Sequence, residues 1–245
     1  MTDYDASTYG NWIAEVYDEL HEWHLDTGST VEGLARLAGD GPVLELGVGT
    51  GRLAIPLAER GLEVHGIDTS EAMVAKMREK PGGDRVTVAI GDFADVPAPG
   101  GPYALVAVPF NTLFALPSQE DQIRCFEGVA RVLDQGGVFA VEAFVPDVTR
   151  FVRGQHVEAT KVDVDGFQLD VSNHDPVGQR VLSHHVLVRG GELRTYPVQI
   201  RYAYPSELDL MARLAGLRLR SRHGGWHEEP LTAMSTRHVS VYERA

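Results

Sequence analysis

The stretch VLELGVGTGR, Val43–Arg52, decides the fold of this chain. A short apolar segment runs directly into three glycines at alternate positions, Gly47, Gly49 and Gly51, and a helical pattern follows. Glycine adopts positive φ without strain, and its missing Cβ lets a ligand approach the backbone closely. The stretch therefore predicts a buried strand, a ligand-binding turn and a helix.

The details of the turn narrow the class of ligand. The dinucleotide fingerprint G-x-G-x-x-G fails when counted from Gly47, and counted from Gly49 it fits only the looser form ending in alanine, at Ala54. No G-K-S/T follows, which excludes a P-loop. Glu45 at the end of the strand would repel a pyrophosphate and suits a ligand with an ammonium group and a sulfonium. A dinucleotide stays an alternative, but the turn favours a cationic ligand.

Strand and helix patterns alternate on the C-terminal side of the turn. Nearly continuous apolar runs, typical of strands buried on both faces, occur at Val43–Leu46, Val64–Ile67, Val86–Ile90, Ala104–Val108 and Val138–Phe144. Helical patterns lie between them at Arg52–Arg60, Ser70–Lys80 and Ser118–Leu133, with Ser70 and Ser118 as N-caps. The alternation predicts an α/β fold, Rossmann-like and doubly wound, with a mostly parallel sheet.

The two flanking regions have other patterns. Apolar and aromatic residues at helical spacing predict one helix over residues 10–25 and a second that begins with Thr30 as its N-cap. Residues 147–204 contain extended segments separated by turns, which predicts antiparallel hairpins inserted after strand five. A helix at Ser206–Ala215 and strands at Leu217–Arg222 and Val239–Tyr242 would complete the sheet.

Acidic residues follow the second and third strands of the alternation. Asp68 comes directly after Val64–Ile67, where an acid in a doubly wound fold hydrogen-bonds ribose hydroxyls. Asp92 and Phe93 come after Val86–Ile90, where a carboxylate can hold an adenine amino group and the aromatic ring can cover the base. Together with the cation-favouring turn, these residues indicate an adenosine ligand that carries a positive charge.

With these motifs in this order, the chain resembles the class I methyltransferases that use S-adenosylmethionine (SAM), over roughly Val43–Phe144. The resemblance implies that SAM is the cofactor and S-adenosylhomocysteine the product. VPFNTLF at 108–114 resembles the loop that lines the methyl-transfer site, and YGNWIAEVYDE from Tyr9 resembles the N-terminal lid of small-molecule members. The cofactor contacts expected on this basis are Tyr9, Tyr17, Glu45, Gly47, Gly49, Gly51, Asp68, Thr69, Met73, Asp92, Phe93 and Pro109.

A closer resemblance is to the branch that N-methylates amino sugars in macrolide biosynthesis. The chain shares its lid pattern, its antiparallel insertion after strand five and a stretch like IRYAYPSELDLMARLAGLRL. It departs in the 110–114 loop, which carries Phe114 where those enzymes have a polar ring. The resemblance implies a lid at 1–40, a SAM-binding domain at 41–146 with 205–245, and an insertion at 147–204 that forms a substrate cap or a homodimer layer.

Composition and charge restrict the partners. A net charge of −13 argues against nucleic acid, because phosphate binding needs clustered Lys and Arg. No apolar run reaches the ~20 residues of a membrane span, and the acidic N-terminus is unlike a secretory signal. The single cysteine, Cys125, lies in an amphipathic pattern and is expected to pack in a helix; one cysteine fits a cytoplasmic protein. Composition therefore favours a small-molecule substrate, and the resemblance implies a metabolite of secondary metabolism that is methylated on nitrogen or oxygen.

Catalysis by proximity and orientation is expected, with Tyr9, Phe110 and Asn111 around the methyl group. If a general base is needed, His227 and Glu142 are the candidates; Phe110, Asn111, Phe114 and Trp226 are expected to contact the substrate. No metal is expected, because neighbours such as His184 and His185 in a strand point to opposite faces. Two alternatives stay open: a non-catalytic SAM-binding sensor or partner subunit, and an NAD-dependent oxidoreductase.

Overall fold

The structure is a computed structural model that describes residues 5–21 and 26–245 of the 245-residue chain. Its helices are α1 Thr8–Ile13, α2 Tyr17–His21, α3 Thr27–Ala38, α4 Ala54–Glu59, α5 Glu71–Glu79, α6 Gln119–Val132 and α7 Pro205–Leu214. Its strands are β1 Val43–Leu46, β2 Val64–Asp68, β3 Thr87–Ile90, β4 Tyr103–Val108, β5 Leu133–Phe144, β6 Gln155–Asp163, β7 Gly166–Asp175, β8 Arg180–Arg189, β9 Glu192–Arg201, β10 Leu217–His223 and β11 Arg237–Arg244.

The larger sheet has seven strands in the order β10-β11-β5-β4-β1-β2-β3. The pairs formed by β1 to β5 are parallel, whereas β11 is antiparallel to β5 and to β10. The predicted Rossmann-like, mostly parallel sheet is therefore confirmed. The strand order reverses beside β1, and ligands of open α/β sheets bind at the carboxyl ends of the strands at such a reversal.

Helices cover both faces of this sheet and bury two apolar cores. One core includes Cys125 and Phe126 of α6 and Met211 of α7, and the other includes Leu34 of α3 and Leu57 of α4. All four residues of β1 are buried, as expected for a strand covered on both faces. Cys125 is fully buried, and burial raises the pKa of its thiol, so it packs as predicted.

A second sheet, β6-β7-β8-β9, is antiparallel throughout and lies in the chain between β5 and α7. This confirms the predicted hairpins. The sheet contacts α1 and the turn that follows β4 through its last strand, β9. One wall of the region above the carboxyl end of β1 is therefore formed by this sheet.

The N-terminal region corrects two predictions. The single helix expected over residues 10–25 is divided into α1 and α2 by a turn at 14–16, and residues 22–25 lie outside the described part. Tertiary contacts override the local periodicity here, because the second piece is bonded to the glycine turn. In α3 the N-cap is Asp26 rather than Thr30, because its carboxylate accepts the N–H of Ser29 at 3.0 Å and starts the helix earlier.

Two other caps are confirmed. The hydroxyl of Ser70 accepts the N–H of Met73 at 3.1 Å, and that of Ser118 accepts the N–H of Asp121 at 3.0 Å. In the part of the chain that the structure describes, no helix combines the length and the apolar character that a bilayer span needs.

Candidate active site

The glycine turn has the backbone geometry that its sequence predicts. Gly47, Gly49 and Gly51 all have positive φ, at 71°, 55° and 75°. A Cβ on Gly47 would lie 2.4 Å from Cγ2 of Thr112, and one on Gly51 would lie 2.4 Å from Cγ of Met77. The missing side chain at Gly47 thus lets the turn lie close to the loop after β4, and the missing side chain at Gly51 lets it pack against α5.

Asp68 at the end of β2 holds the glycine turn in place. Its Oδ2 accepts the N–H of Gly49 at 2.8 Å, and its Oδ1 accepts the N–H of Ser70 at 2.8 Å. Removal from solvent raises the pKa of this carboxyl group. Asp68 also lines the cavity above the turn, so one carboxylate both shapes the turn and presents acceptor oxygens to a ligand.

A cavity of ≈ 340 Å³ opens above the carboxyl ends of β1 and β2. It is bounded by the glycine turn, α1, the loop after β4 and the four-stranded sheet. Of the residues expected to contact the cofactor or the methyl group, the following line it: Tyr9, Tyr17, Gly47, Gly49, Asp68, Thr69, Met73, Phe93, Phe110 and Asn111. The structure thus brings together side chains from segments that are distant in sequence.

Glu45 is not among the residues that line this cavity and is 4% exposed. The N–H of Ala54 donates to its carboxylate, but Oε2 has no hydrogen-bond partner among the described residues. Burial raises the pKa of Glu45 to about 8; the nearby positive charge of Arg52 opposes the rise, and Asp68 adds to it. A buried carboxylate favours a cation in its surroundings, and Arg52 is one such cation.

Three other expected cofactor residues lie outside the cavity lining. Gly51 is in the buried part of the turn, and Pro109 is buried at the end of β4. Asp92 uses its Oδ1 to accept the N–H of Ala94 at 2.8 Å, and only its neighbour Phe93 reaches the cavity.

Glu142 at the end of β5 holds the loop that follows β4. Its Oε2 accepts the N–H of Phe110 at 3.0 Å, and Oδ1 of Asn111 accepts the N–H of Phe144 at 2.6 Å. Phe110 and Asn111 have positive φ, 52° and 61°, a conformation that non-glycine residues rarely adopt. The two hydrogen bonds stabilise this conformation and aim both side chains at the cavity.

Phe114, Trp226 and His227 are not among the described side chains that line the cavity. Phe114 is fully buried and packs edge-on against Phe144, with ring centroids 5.0 Å apart. Trp226 is buried against α3, where Gly33 leaves space for its indole. His227 is exposed to solvent. The structure therefore separates these three residues from the site with which the sequence associated them.

Several lining residues were not found from the sequence. The four-stranded sheet contributes His185, Val198, Gln199 and Ile200. The ring of His185 lies 6.4 Å from the ring of Tyr9, measured between centroids. The alternation of β8 was a signal that His184 and His185 face opposite ways, but only the packing of the sheet shows which of them faces the cavity.

The N-terminal helices are bonded to the glycine turn by a cluster that the sequence also did not reveal. Oδ1 of Asp18 accepts the hydroxyl of Thr50 at 2.7 Å, and its Oδ2 lies 2.5 Å from Nζ of Lys80. Nζ of Lys80 also donates to the carbonyl of Thr50 at 2.9 Å. α2 is thereby attached to the turn and to the end of α5.

In residues 5–21 and 26–245, no three or more His, Cys, Asp or Glu side chains lie close enough together to hold a metal ion.

Comparison with known proteins extends these observations. A family model described as a methyltransferase domain matches residues 43–137. The cypemycin N-terminal methyltransferase of a Streptomyces species is 30% identical over 244 residues, which cover 98% of this chain and 99% of that relative. The structure of the CcbJ methyltransferase from Streptomyces caelestis is 41% identical, with a TM-score of 0.92, over 99% of this chain and 100% of that chain.

A more distant structure shares the fold. The SAM-bound structure of CalS10, an amino pentose methyltransferase of calicheamicin biosynthesis from Micromonospora echinaspora, is 19% identical with a TM-score of 0.70. It covers 94% of this chain and 97% of that chain. The similarity thus includes the four-stranded sheet as well as the larger one.

Proposed function

Because the chain belongs to the SAM-dependent methyltransferases, we propose that it methylates an amine nitrogen of a small metabolite from secondary metabolism. Nitrogen is favoured as the acceptor atom because the cavity is acidic. Its described lining has two carboxylates, Asp5 and Asp68, and no Lys or Arg. An acidic cavity concentrates cations, and an amine is the acceptor that is a cation before it reacts.

The residues present fit SAM. The glycine turn is a cradle that the Cβ of any other residue would obstruct at Gly47. Asp68 offers carboxylate oxygens at the cavity wall, and Glu45 holds a buried oxygen without a described partner. When bound, SAM supplies an electrophilic methyl group on a positively charged sulfur that leaves as a neutral thioether.

The chain's own contribution to catalysis is positioning. Tyr9, Phe110 and Asn111 line the cavity. The aromatic face of Tyr9 attracts positive charge, whereas the ring of Phe110 already has the guanidinium of Arg52 over it, 5.5 Å from the ring centroid. Correct alignment of two reactants supplies about 7–11 kcal/mol of barrier reduction. Glu142 takes part indirectly, because it fixes the backbone of the loop that carries Phe110.

Two segments outside the larger sheet contribute to the cavity. We propose that residues 1–40 form a lid and that 147–204 form a cap over the acceptor, because both contribute side chains to the cavity. The alternative role of residues 147–204 is to form the interface of a homodimer. Gel filtration with light scattering distinguishes the two, because a monomer with full activity removes the dimer layer.

A panel of acceptors tests the choice of nitrogen. The protein is incubated with SAM labelled in its methyl group and with one acceptor per reaction. Three acceptors are amines: a dipeptide with alanine at its N-terminus, proline methyl ester and glucosamine. Two have only hydroxyl groups: methyl glucoside and catechol. We expect labelled product only with the amines, together with S-adenosylhomocysteine detected by mass spectrometry. Methylation of the two hydroxyl compounds without methylation of any amine would contradict the proposal.

A further inference from the structure

Three side chains form a row across one face of the four-stranded sheet. Asp170 of β7, His185 of β8 and Tyr196 of β9 lie directly opposite one another in the strand register. Opposite residues of antiparallel strands project from the same face of a sheet. Tyr196 packs against Ile13 and Leu20, so this face is the one that the N-terminal helices cover.

His185 lies where two cavities meet. It lines the main cavity together with Tyr9 and Phe110. It also lines an adjacent cavity of ≈ 180 Å³, which shares Phe110 with the main one and is otherwise bounded by Leu20, Tyr196 and other residues of the sheet. An acceptor that extends from the methyl group into the adjacent cavity must therefore pass the imidazole of His185.

Asp170 fixes the orientation of this imidazole. Its Oδ1 lies 2.6 Å from Nδ1 of His185, and each side chain is 30% exposed. A carboxylate at Nδ1 favours the tautomer that carries its proton there, which makes Nε2 the nitrogen that accepts a further proton. Among the described residues, Asp170 on β7, Tyr196 on β9 and Tyr9 on α1 face His185, and Glu158 on β6 lies beyond Asp170 in the same row.

We propose that His185, positioned by Asp170, accepts the proton that the amine acceptor gives up, an inference that rests on the proposed function. The acceptor enters as an ammonium ion and passes one proton to Nε2 of His185, which frees the lone pair of its nitrogen. That nitrogen then bonds to the methyl carbon while the carbon–sulfur bond breaks and its electron pair goes to sulfur. The methylated product leaves as an ammonium ion, and the imidazolium returns its proton to solvent through the open cavity.

The variants are chosen as a matched pair. His185→Gln removes the proton acceptor and keeps a polar side chain of similar length. His184→Gln makes the same change one residue earlier, on the opposite face of β8, where His184 pairs with Val171 and Pro197. Asp170→Ala removes the positioning carboxylate.

The first measurement does not depend on turnover. Nitrogen NMR of the histidine rings is recorded on the full chain with S-adenosylhomocysteine, and the signal of His185 is identified by its loss in His185→Gln. We expect the tautomer protonated at Nδ1, and a change towards the Nε2-protonated tautomer in Asp170→Ala. A wild-type ring that carries its proton on Nε2 would overturn the proposal.

The second measurement uses the panel amine that the wild type methylates fastest. We expect His185→Gln to lower kcat by about 10²–10⁴-fold, with unchanged calorimetric affinity for S-adenosylhomocysteine, and His184→Gln to stay within about twofold. A kcat of His185→Gln within about threefold of wild type would overturn the role of His185.

The two proposals fail in different ways. If only hydroxyl compounds are methylated, the choice of nitrogen is wrong, and the same pair of variants, measured on the hydroxyl acceptor, decides whether His185 takes the proton. If no panel compound is methylated, the NMR measurement alone tests the role of His185. A wild-type ring protonated at Nδ1 that changes in Asp170→Ala supports that role, and a wild-type ring protonated at Nε2 overturns it.

Discussion

Glu45 shows how the fold constrains the charge of a single residue. It stands at the end of β1, where every side chain is buried, and its carboxylate accepts the first N–H of α4. A buried carboxylate is costly unless it is protonated or faces a cation. The protonation of Glu45 therefore contributes to the stability of the folded chain.

The stability of the Glu45→Gln variant should differ from wild type in a pH-dependent way. Burial raises the pKa of Glu45 from 4.5 to about 8, so between these values the folded state holds a proton that the unfolded chain has lost. Wild-type stability therefore falls as pH rises through this window, and the glutamine variant lacks this loss. We expect the melting temperature of the variant, relative to wild type, to increase from pH 5 to pH 8. Parallel melting curves by scanning fluorimetry would contradict this.

Gly47→Ala should weaken SAM binding more than it weakens folding. The added Cβ would lie 2.4 Å from Thr112, which lines the cavity, so the turn or the loop after β4 must move. We expect a loss of about tenfold or more in calorimetric SAM affinity, which corresponds to about 1.4 kcal/mol. Gly61→Ala is the control, since Gly61 also has positive φ, 91°, but nothing lies within 4 Å of its Cβ position. Equal affinity losses in both variants would argue against a role for close approach at Gly47.

At the scale of the element, the loop between β4 and the turn of helix that follows it depends on β5. Phe110 and Asn111 hold a left-handed backbone, and three hydrogen bonds join them to the end of β5: the two described above and one from the N–H of Asn111 to the carbonyl of Glu142 at 3.0 Å. The positions of these two side chains in the cavity are therefore a property of the paired strands rather than of the loop alone.

Variants of Glu142 separate a positioning role from a general-base role. The carbonyl oxygen of glutamine can still accept the N–H of Phe110, whereas alanine cannot. We expect Glu142→Gln to keep kcat within about threefold and Glu142→Ala to lower it by about tenfold, the effect of one lost hydrogen bond to a charged group. If both variants lose activity equally, Glu142 acts as the base that its position in the sequence first suggested.

The attachment of α2 to the glycine turn gives a second prediction at this scale. Asp18→Ala removes the bonds to Thr50 and Lys80, so α2 should be held less firmly against the glycine turn. We expect calorimetric SAM affinity to fall by about 2–5-fold, in keeping with a partly exposed ion pair. Glu15→Ala is the control, because its exposed pair with Lys76 at 3.0 Å does not involve the turn. An affinity equal to that of the control would show that the attachment does not support binding.

At the scale of the whole molecule, the cavity is an assembly of distant segments. Tyr9, Gly47, Asp68, Phe110 and His185 come from the N-terminal helix, three strand ends of the larger sheet and the four-stranded sheet. A ligand that contacts all of them links the N-terminal region and the four-stranded sheet to the seven-stranded sheet. Its binding must therefore stabilise the folded chain as a whole.

SAM should raise the melting temperature, and NAD should not. At about 100 times its Kd, a ligand stabilises the folded state by about 2.7 kcal/mol, which for a chain of this size corresponds to about 5–10 °C. Asp68→Ala should lose most of the increase, because Asp68 holds the glycine turn. An increase with NADH and none with SAM would favour the oxidoreductase reading of the glycine turn.

The sequence by itself determined the features that depend on local pattern. The strand–glycine–helix stretch at Val43–Arg52, the acid at Asp68 and the caps at Ser70 and Ser118 all lie where the structure has them. Local pattern suffices here because parallel strands end at one edge of the sheet, so residues that follow successive strands must meet there.

Tertiary structure alone decided the remainder. Trp226 belongs to the core against α3, the N-terminal helix is divided at 14–16, and His185 rather than His184 faces the cavity. Each outcome depends on how segments far apart in sequence pack together. Periodicity shows that a strand has two faces, but only the layer packed against it decides which face lines the cavity above the glycine turn of VLELGVGTGR.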